Sequence, residues 1–235
     1  MNVPLPADLS IPPFLDRRKI VFTYTMLSTY KNCGHQMFRR YVKKDIPYVE
    51  TPEMKWGKDV HAAFEYRVSS GQPLPTSMNQ WEQFAKPFDG RHAITEQKLG
   101  ITKEGRSTGF WDADCWFRGI VDLTLKADAK AFVNDWKTGN SKFEDPFELE
   151  IGALLLKAKY PELTLVQGTY TWLKDQRVSK PYDLSDFRAT WTEINRLVSK
   201  IEADRALSEF EKKQSGLCKG WCEVKDCEHW QPKRA

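Results

Sequence analysis

The sequence lacks the features of a membrane or secreted protein. No run of about 18 apolar residues occurs, so we expect no membrane-spanning helix and no membrane partner. The first eighteen residues contain four prolines and no apolar core segment, which is not the pattern of a signal peptide. We therefore predict a cytoplasmic protein, in which thiols stay reduced.

The sequence also has few features that identify a binding partner. Its net charge of +4 and pI near 8.7 are compatible with nucleic acid but do not identify it. It has no basic tail rich enough to bind DNA alone and no Gly-x-x-x-x-Gly-Lys-Ser/Thr motif for ATP. Hydrophobic residues are 40% and charged residues 29%, a globular balance.

The order of predicted elements indicates an α/β fold. Residues 1–20 form an irregular N-terminal arm because of their prolines, and residues 21–235 form a single domain that includes a cysteine-rich tail, 215–235. Apolar spacing predicts helices over about 28–44 and 52–70, after Pro146 and from about 185 to 213, and strands at 93–99, 110–125, 131–138 and 163–173. We predict a mixed central β-sheet flanked by helices, with a helical N-terminal part.

Three charged residues lie inside apolar runs that are predicted strands. Asp135 and Lys137 share one face of their strand, and antiparallel pairing would place Asp122 beside Asp135. Two neighbouring carboxylates are costly unless a cation lies between them, and Mg²⁺ or Mn²⁺ suits oxygen ligands. Lys137 would then orient or deprotonate the attacking water, or stabilise the phosphate. The alternative is an exposed ion pair with no catalytic role.

Two further residues are candidates for the same site. His61 lies one helical turn after Gly57 on the same face, and imidazole is an acceptable ligand for Mn²⁺. Glu96 lies within a predicted strand and would add a carboxylate. A histidine on an amphipathic helix is otherwise an ordinary polar residue, so neither assignment follows from spacing alone.

Taken together, these residues resemble the PD-(D/E)XK nuclease superfamily, in its RecB-like branch. The resemblance extends over about residues 25 to 230. The most specific part is the stretch 135–139, which resembles the Asp-x-Lys-Thr-Gly signature, and the stretch 119–122 resembles the Gly-x-x-Asp strand. Gly57 and His61 resemble the Gly-x-x-x-His motif, and Glu96 resembles an acidic residue of the preceding strand.

The resemblance implies a restriction-endonuclease-like fold and hydrolysis of phosphodiester bonds, usually in DNA. It implies that the metal is bound by His61, Asp122, Asp135 and the carbonyl of Trp136, and that Lys137 is the catalytic lysine beside Asp122, Asp135 and Glu96. The branch usually carries a Gln-x-x-x-Tyr motif on the helix after the signature. Here the best-fitting positions are Glu150 and Leu154, which do not match it.

Four of the five cysteines lie near the ends of the sequence: Cys33, Cys218, Cys222 and Cys227. Some RecB-like nucleases, including AddB-type enzymes and CRISPR-adaptation nucleases, hold a [4Fe–4S] cluster with one cysteine from the first helix and three from the tail, and the resemblance implies the same cofactor here. The tail spacing is Cys-x₃-Cys-x₄-Cys, whereas those families typically show Cys-x₂-Cys-x₅-Cys. Zn²⁺ is the alternative metal for these four thiol ligands. A third interpretation is that Cys33 is simply buried in the first helix and binds no metal.

From these features we predict a metal-dependent DNA nuclease that acts as an exonuclease in replication, recombination or repair. We see no motif that reads bases, so we expect sequence-independent binding through phosphates, on single-stranded DNA or free ends. The alternative is a catalytically silent nuclease fold kept for DNA binding or assembly. The intact Asp122, Asp135 and Lys137 argue against that alternative.

Overall fold

The structure, a computed structural model, describes residues 19–232, apart from the side chain of Phe143. The predicted N-terminal arm, residues 1–20, therefore lies almost entirely outside the described residues. Within the described part the chain forms two compact units. The first contains residues 19–20, 25–47 and 196–232, and the second contains residues 21–24 and 48–195.

The helices of the described residues are α1 (Tyr24–Asn32), α2 (Gly34–Met37), α3 (Pro52–Ser70), α4 (Glu82–Ala85), α5 (Phe147–Lys159) and α6 (Phe187–Leu207). The helix predicted over 52–70 is confirmed. Thr51 caps it by accepting a hydrogen bond from the amide of Met54 (3.2 Å), Pro52 fills its first position, and Gly71 ends it with φ 73°. In this part of the chain, no helix combines the length and apolar character needed to cross a bilayer.

The strands are β1 (Ala93–Ile101), β2 (Ser107–Thr108), β3 (Phe117–Ala127), β4 (Lys130–Lys137), β5 (Leu165–Trp172), β6 (Arg177–Val178) and β7 (Tyr182–Asp183). In the described residues they form one seven-stranded sheet in the order β2-β1-β3-β4-β5-β6, with β7 also paired to β5. β4 and β5 are parallel, and the other pairs are antiparallel. The predicted mixed sheet with flanking helices is confirmed.

Three element predictions were wrong in detail. The helix predicted from about 185 to 213 ends at Leu207, where Ser208 adopts a left-handed conformation (φ 56°). The helix predicted over 28–44 ends at Asn32, because Cys33 adopts an extended conformation (φ −163°) before α2 and a π-helical turn, Phe38–Lys43, continue the segment. The strand predicted over 110–125 begins only at Phe117. In the preceding loop the amide of Gly109 donates to Asp112 Oδ2 (2.9 Å), so a side chain takes the place of a strand partner.

The core of the second unit fixes the orientation of β4. Trp136 is 2% exposed and packs against Phe64 of α3 and against Phe88, with ring centroids 4.3 and 5.7 Å apart. Because side chains alternate along a strand, the neighbours of Trp136, Asp135 and Lys137, face the other side of the sheet, where α5 lies.

Candidate active site

Three acidic residues lie at one level across three adjacent strands. The pairs Thr95–Leu123 and Gln97–Val121 flank the position where Glu96 meets Asp122. The pair Leu123–Asn134 precedes the position where Asp122 meets Asp135. The predicted antiparallel neighbourhood of β3 and β4 is therefore observed, and β1 adds its own carboxylate.

The sheet is distorted at this level. Glu96 has φ 46°, a left-handed conformation that a non-glycine residue seldom adopts within a strand. On β3, Leu123 belongs to the core cluster under α3, whereas Val121 meets Gly152 of α5 on the other side. The direction in which side chains point therefore reverses between these two residues, and the strained backbone coincides with the acidic level.

A group suited to a metal ion forms at this level, where His61 of α3 meets two of the acids. His61 Nδ1 lies 3.5 Å from Glu96 Oε1 and 3.3 Å from Asp122 Oδ2. One ligand atom from each of the three lies within 4.8 Å of the others. His61 lies on α3 one turn after Gly57, where an added Cβ would make an ordinary contact of 3.6 Å with Thr138 Oγ1. Two carboxylates and an imidazole are a donor set that Mn²⁺ accepts and Mg²⁺ tolerates.

The acids of this group stabilise a positive charge on His61. Burial alone would lower the pKa of the imidazole, but hydrogen bonds to Asp122 and Glu96, and the nearby charge of Asp135, raise its pKa to about 10. The acids therefore strongly favour a positive charge at this position. A bound divalent cation would supply such a charge in place of the proton.

A second cluster lies on the α5 side. Lys137 Nζ is 3.0 Å from Asp135 Oδ1 and 2.7 Å from Glu148 Oε2, at the start of α5. Sequence reasoning did not select Glu148. The available signal was an acidic residue in the first turn of the helix that follows the strand, but only the docking of α5 shows that it reaches Lys137.

Burial shifts the pKa values of the residues in this second cluster. Desolvation raises the pKa of Asp135 well above its usual range, and the charge of Asp122 adds to the increase. The pKa of Lys137 is raised despite its burial, because Asp135 and Glu148 stabilise the ammonium. Asp135 Oδ1 is buried, and its contact with Lys137 lacks hydrogen-bond geometry, so no hydrogen-bond partner reaches it within the described residues. A metal ion is a group that would satisfy such an oxygen.

Trp136 connects the two clusters through its backbone. Its amide donates a hydrogen bond of 2.9 Å to Asp122 Oδ2, which holds that carboxylate at the end of β4. Asp135 is not one of the three residues whose ligand atoms lie within 4.8 Å of one another. The roles of Asp135 and of the Trp136 carbonyl as metal ligands stay predictions.

The four predicted cluster cysteines come together within the first unit. Cys33, Cys218, Cys222 and Cys227 line one cavity, which His35 and His229 also border. Burial raises the pKa of the Cys222 thiol, and its neighbours Cys218, Cys33 and Cys227 raise it further. Thiolates so close together need a cation to be stable. The fifth cysteine, Cys115, lies outside this cavity and is 1% exposed.

Comparisons with known proteins agree with this architecture. A crystal structure of the protein SSO0001 has a similar fold, with a TM-score of 0.50 and 16% identity over 90% of this chain and 87% of that one. Curated protein sequences gave no match. The family model of the PD-(D/E)XK nuclease superfamily matches residues 21–227. Because that match covers most of the sequence, the chain belongs to the PD-(D/E)XK nuclease superfamily.

Proposed function

We propose that this protein is a Mg²⁺- or Mn²⁺-dependent nuclease that hydrolyses DNA as an exonuclease. The observation that carries the proposal is the arrangement of His61, Glu96 and Asp122 within 4.8 Å of one another, next to the buried pair of Asp135 and Lys137. Family membership supplies the nuclease chemistry. Metal, DNA and exonuclease action are our own extension of it.

In this proposal the side chains divide the work. His61, Glu96, Asp122 and Asp135 hold the metal, together with the carbonyl of Trp136. When bound, the ion activates water and neutralises charge on the phosphate. Lys137 is flanked by two carboxylates that keep it protonated at neutral pH. As an ammonium it would stabilise charge on the reacting phosphate or orient the attacking water.

The substrate follows from what the protein does not carry. The sequence has no ATP-binding motif and no base-reading motif, so we propose cleavage of single-stranded DNA or free ends without sequence specificity, with a helicase or recombination partner where duplexes must be opened. We place the protein in the RecB-like branch, in replication, recombination or repair in the cytoplasm. Glu150 and Leu154 in place of the Gln-x-x-x-Tyr motif leave its cleavage polarity open.

We further propose that the four cysteines hold a [4Fe–4S] cluster. In a tetrahedral zinc site with Zn–S bonds near 2.3 Å, sulfurs lie about 3.8 Å apart. In this protein, Cys33, Cys218, Cys222 and Cys227 line one cavity, and four thiolates are also the usual ligands of a [4Fe–4S] cluster. Zn²⁺ bound by the same thiolates is the alternative.

The nuclease proposal is tested with end-labelled single-stranded DNA and Mn²⁺. We expect stepwise degradation that chelator abolishes and that Asp135→Ala reduces to background. Asp59→Ala, which removes an exposed acid of α3, is the matched control and should cut normally. Cleavage that persists in Asp135→Ala refutes the site. DNA binding without cleavage by the wild-type protein instead supports the silent-nuclease alternative.

A further inference from the structure

An exposed strip of sheet begins at the catalytic acids. On β1 and β3, Gln97, Gly119 and Val121 face α5: Gln97 donates to the hydroxyl of Tyr160, and an added Cβ at Gly119 would meet Leu155. The residues between them therefore point to the opposite side of the sheet, the side on which α3 packs. There Lys98 is exposed, and its cross-strand partner Ile120 is 47% exposed.

The strip ends at a loop that holds an aromatic side chain in solvent. Trp111 is 75% exposed, an unusual state for a residue of its size. The loop around it is ordered by hydrogen bonds from the Gly109 amide to Asp112 (2.9 Å) and from Thr108 Oγ1 to Asp114 (2.5 Å). The exposure of the indole is therefore built into the loop and does not result from a loose segment.

Arg118 joins the loop to the strip. Its guanidinium lies 4.6 Å from the ring centroid of Phe110 and 4.5 Å from that of Trp111, and it donates to the carbonyl of Phe110 (3.1 Å). Within the described residues neither Arg118 nor Lys98 forms an ion pair with a carboxylate, so both charges are available to an anionic ligand. At about 3.3 Å per residue, Lys98 lies about 7 Å along β1 from Glu96. Arg118 lies about twice that distance along β3 from Asp122.

We infer that this strip is a track for a single-stranded nucleic acid leaving the catalytic acids, an inference that rests on the proposed nuclease function. Lys98 and Arg118 contact successive phosphates, and Trp111 stacks on a base. Arg118 lies over one face of the Trp111 indole, which leaves the opposite face of this exposed side chain for a base. Stacking accepts any base, which agrees with cleavage that ignores sequence.

The test measures binding without cleavage. Fluorescent oligothymidylate is titrated with full-length protein in EDTA, and anisotropy gives Kd. Trp111→Ala should weaken binding about five- to 150-fold, and Trp111→Phe should restore most of it. Trp221→Ala removes a tryptophan that is 66% exposed in the first unit and should leave Kd unchanged. Lys98→Gln should lower the slope of log K against log salt by about 0.7, the value for one phosphate contact.

The outcomes separate the track from the nuclease proposal. If the wild-type protein binds the oligonucleotide and Trp111→Ala and Lys98→Gln both leave binding and its salt slope unchanged, the track is overturned even if the protein cuts DNA. If both variants bind weakly and the wild type never cuts, the track stands and the nuclease function fails. Equal losses for Trp111→Ala and Trp221→Ala would also overturn it, because the effect would not be specific to the strip.

Discussion

His61 holds a proton in the place where the proposed site needs a cation. Its partners Asp122 and Glu96 raise the pKa of the imidazole from 6.5 to about 10, so at neutral pH the metal-free protein contains an imidazolium between two carboxylates. The folded state binds this proton more tightly than the unfolded state does. The resulting stability is fully present below about pH 6.5 and is lost as pH rises through about 10.

We predict that His61→Gln removes this pH dependence. In EDTA, the free energy of unfolding of the wild type should exceed that of the variant at pH 6.5, and the difference should shrink by about 1.4 kcal/mol per pH unit towards pH 10. Urea unfolding of both proteins across this range measures it, and titration of other groups cancels in the difference. A difference that does not change with pH would show that His61 is not protonated between these acids.

Glu148 gives a second prediction for a single residue. It holds Lys137 Nζ at 2.7 Å, so Glu148→Gln leaves the ammonium with Asp135 as its charged partner and loosens its position. We expect the single-turnover rate of DNA cleavage to fall about ten- to 100-fold, the range that a small displacement of a catalytic group causes. Glu162→Gln, which breaks an ion pair of the same 2.7 Å length with Lys126 outside the site, should keep the wild-type rate. An unchanged rate in Glu148→Gln would remove Glu148 from the site.

The sequence allowed prediction of some site residues but not others. Asp122, Asp135 and Lys137 were predicted together because alternation along β-strands depends only on local geometry. Glu148 was missed because its contact depends on how α5 docks against β4. The left-handed backbone at Glu96 was also not predictable, because no glycine or asparagine marks it and only the surrounding sheet can maintain such a conformation.

Among the elements, α5 needs small residues to approach β3. An added Cβ at Gly119 would lie 2.9 Å from Leu155 Cδ1, and one at Gly152 would lie 3.3 Å from Val121 Cγ2. Leu155 is 1% exposed, so it has little room to move. The close packing at these glycines sets the depth of α5, and α5 carries Glu148 to the site.

We therefore predict that Gly119→Ala destabilises the protein by about 1–2 kcal/mol, because Leu155 must shift in a packed interior. Combining it with Leu155→Ala should cost less than the sum of the two single changes, since the truncated side chain leaves space for the new methyl group. Gly139→Ala, where an added Cβ meets nothing within 4 Å, is the control and should change stability by less than about 0.5 kcal/mol. Strict additivity of Gly119→Ala and Leu155→Ala in denaturant unfolding would contradict this packing.

At the scale of the whole molecule, the fold class was predictable and several element ends were not. Long periodic segments such as α3 and β4 are recognisable because burial of one face requires their pattern. The break at Cys33 was missed, although Asn32 and Gly34 on either side of it both disfavour helix. The loop 109–116 was assigned to a strand because its aromatic residues favour strands, whereas Asp112 holds it in turns.

The cysteine cavity yields a prediction about the stability of the molecule, because it joins Cys33 to a tail that begins almost two hundred residues later. A cofactor bound there closes a very long loop, and cross-links of such length contribute several kcal/mol by restricting the unfolded chain. We expect anaerobically purified protein to be brown and Cys222→Ser to lose iron and unfold at a lower temperature, while its cleavage rate, measured well below that temperature, changes little. Cys115→Ala removes a thiol outside the cavity and should keep the colour. A colourless wild-type protein with stoichiometric zinc would exclude the iron–sulfur cluster, and unchanged thermal stability in Cys222→Ser would exclude a structural role for any metal at these cysteines.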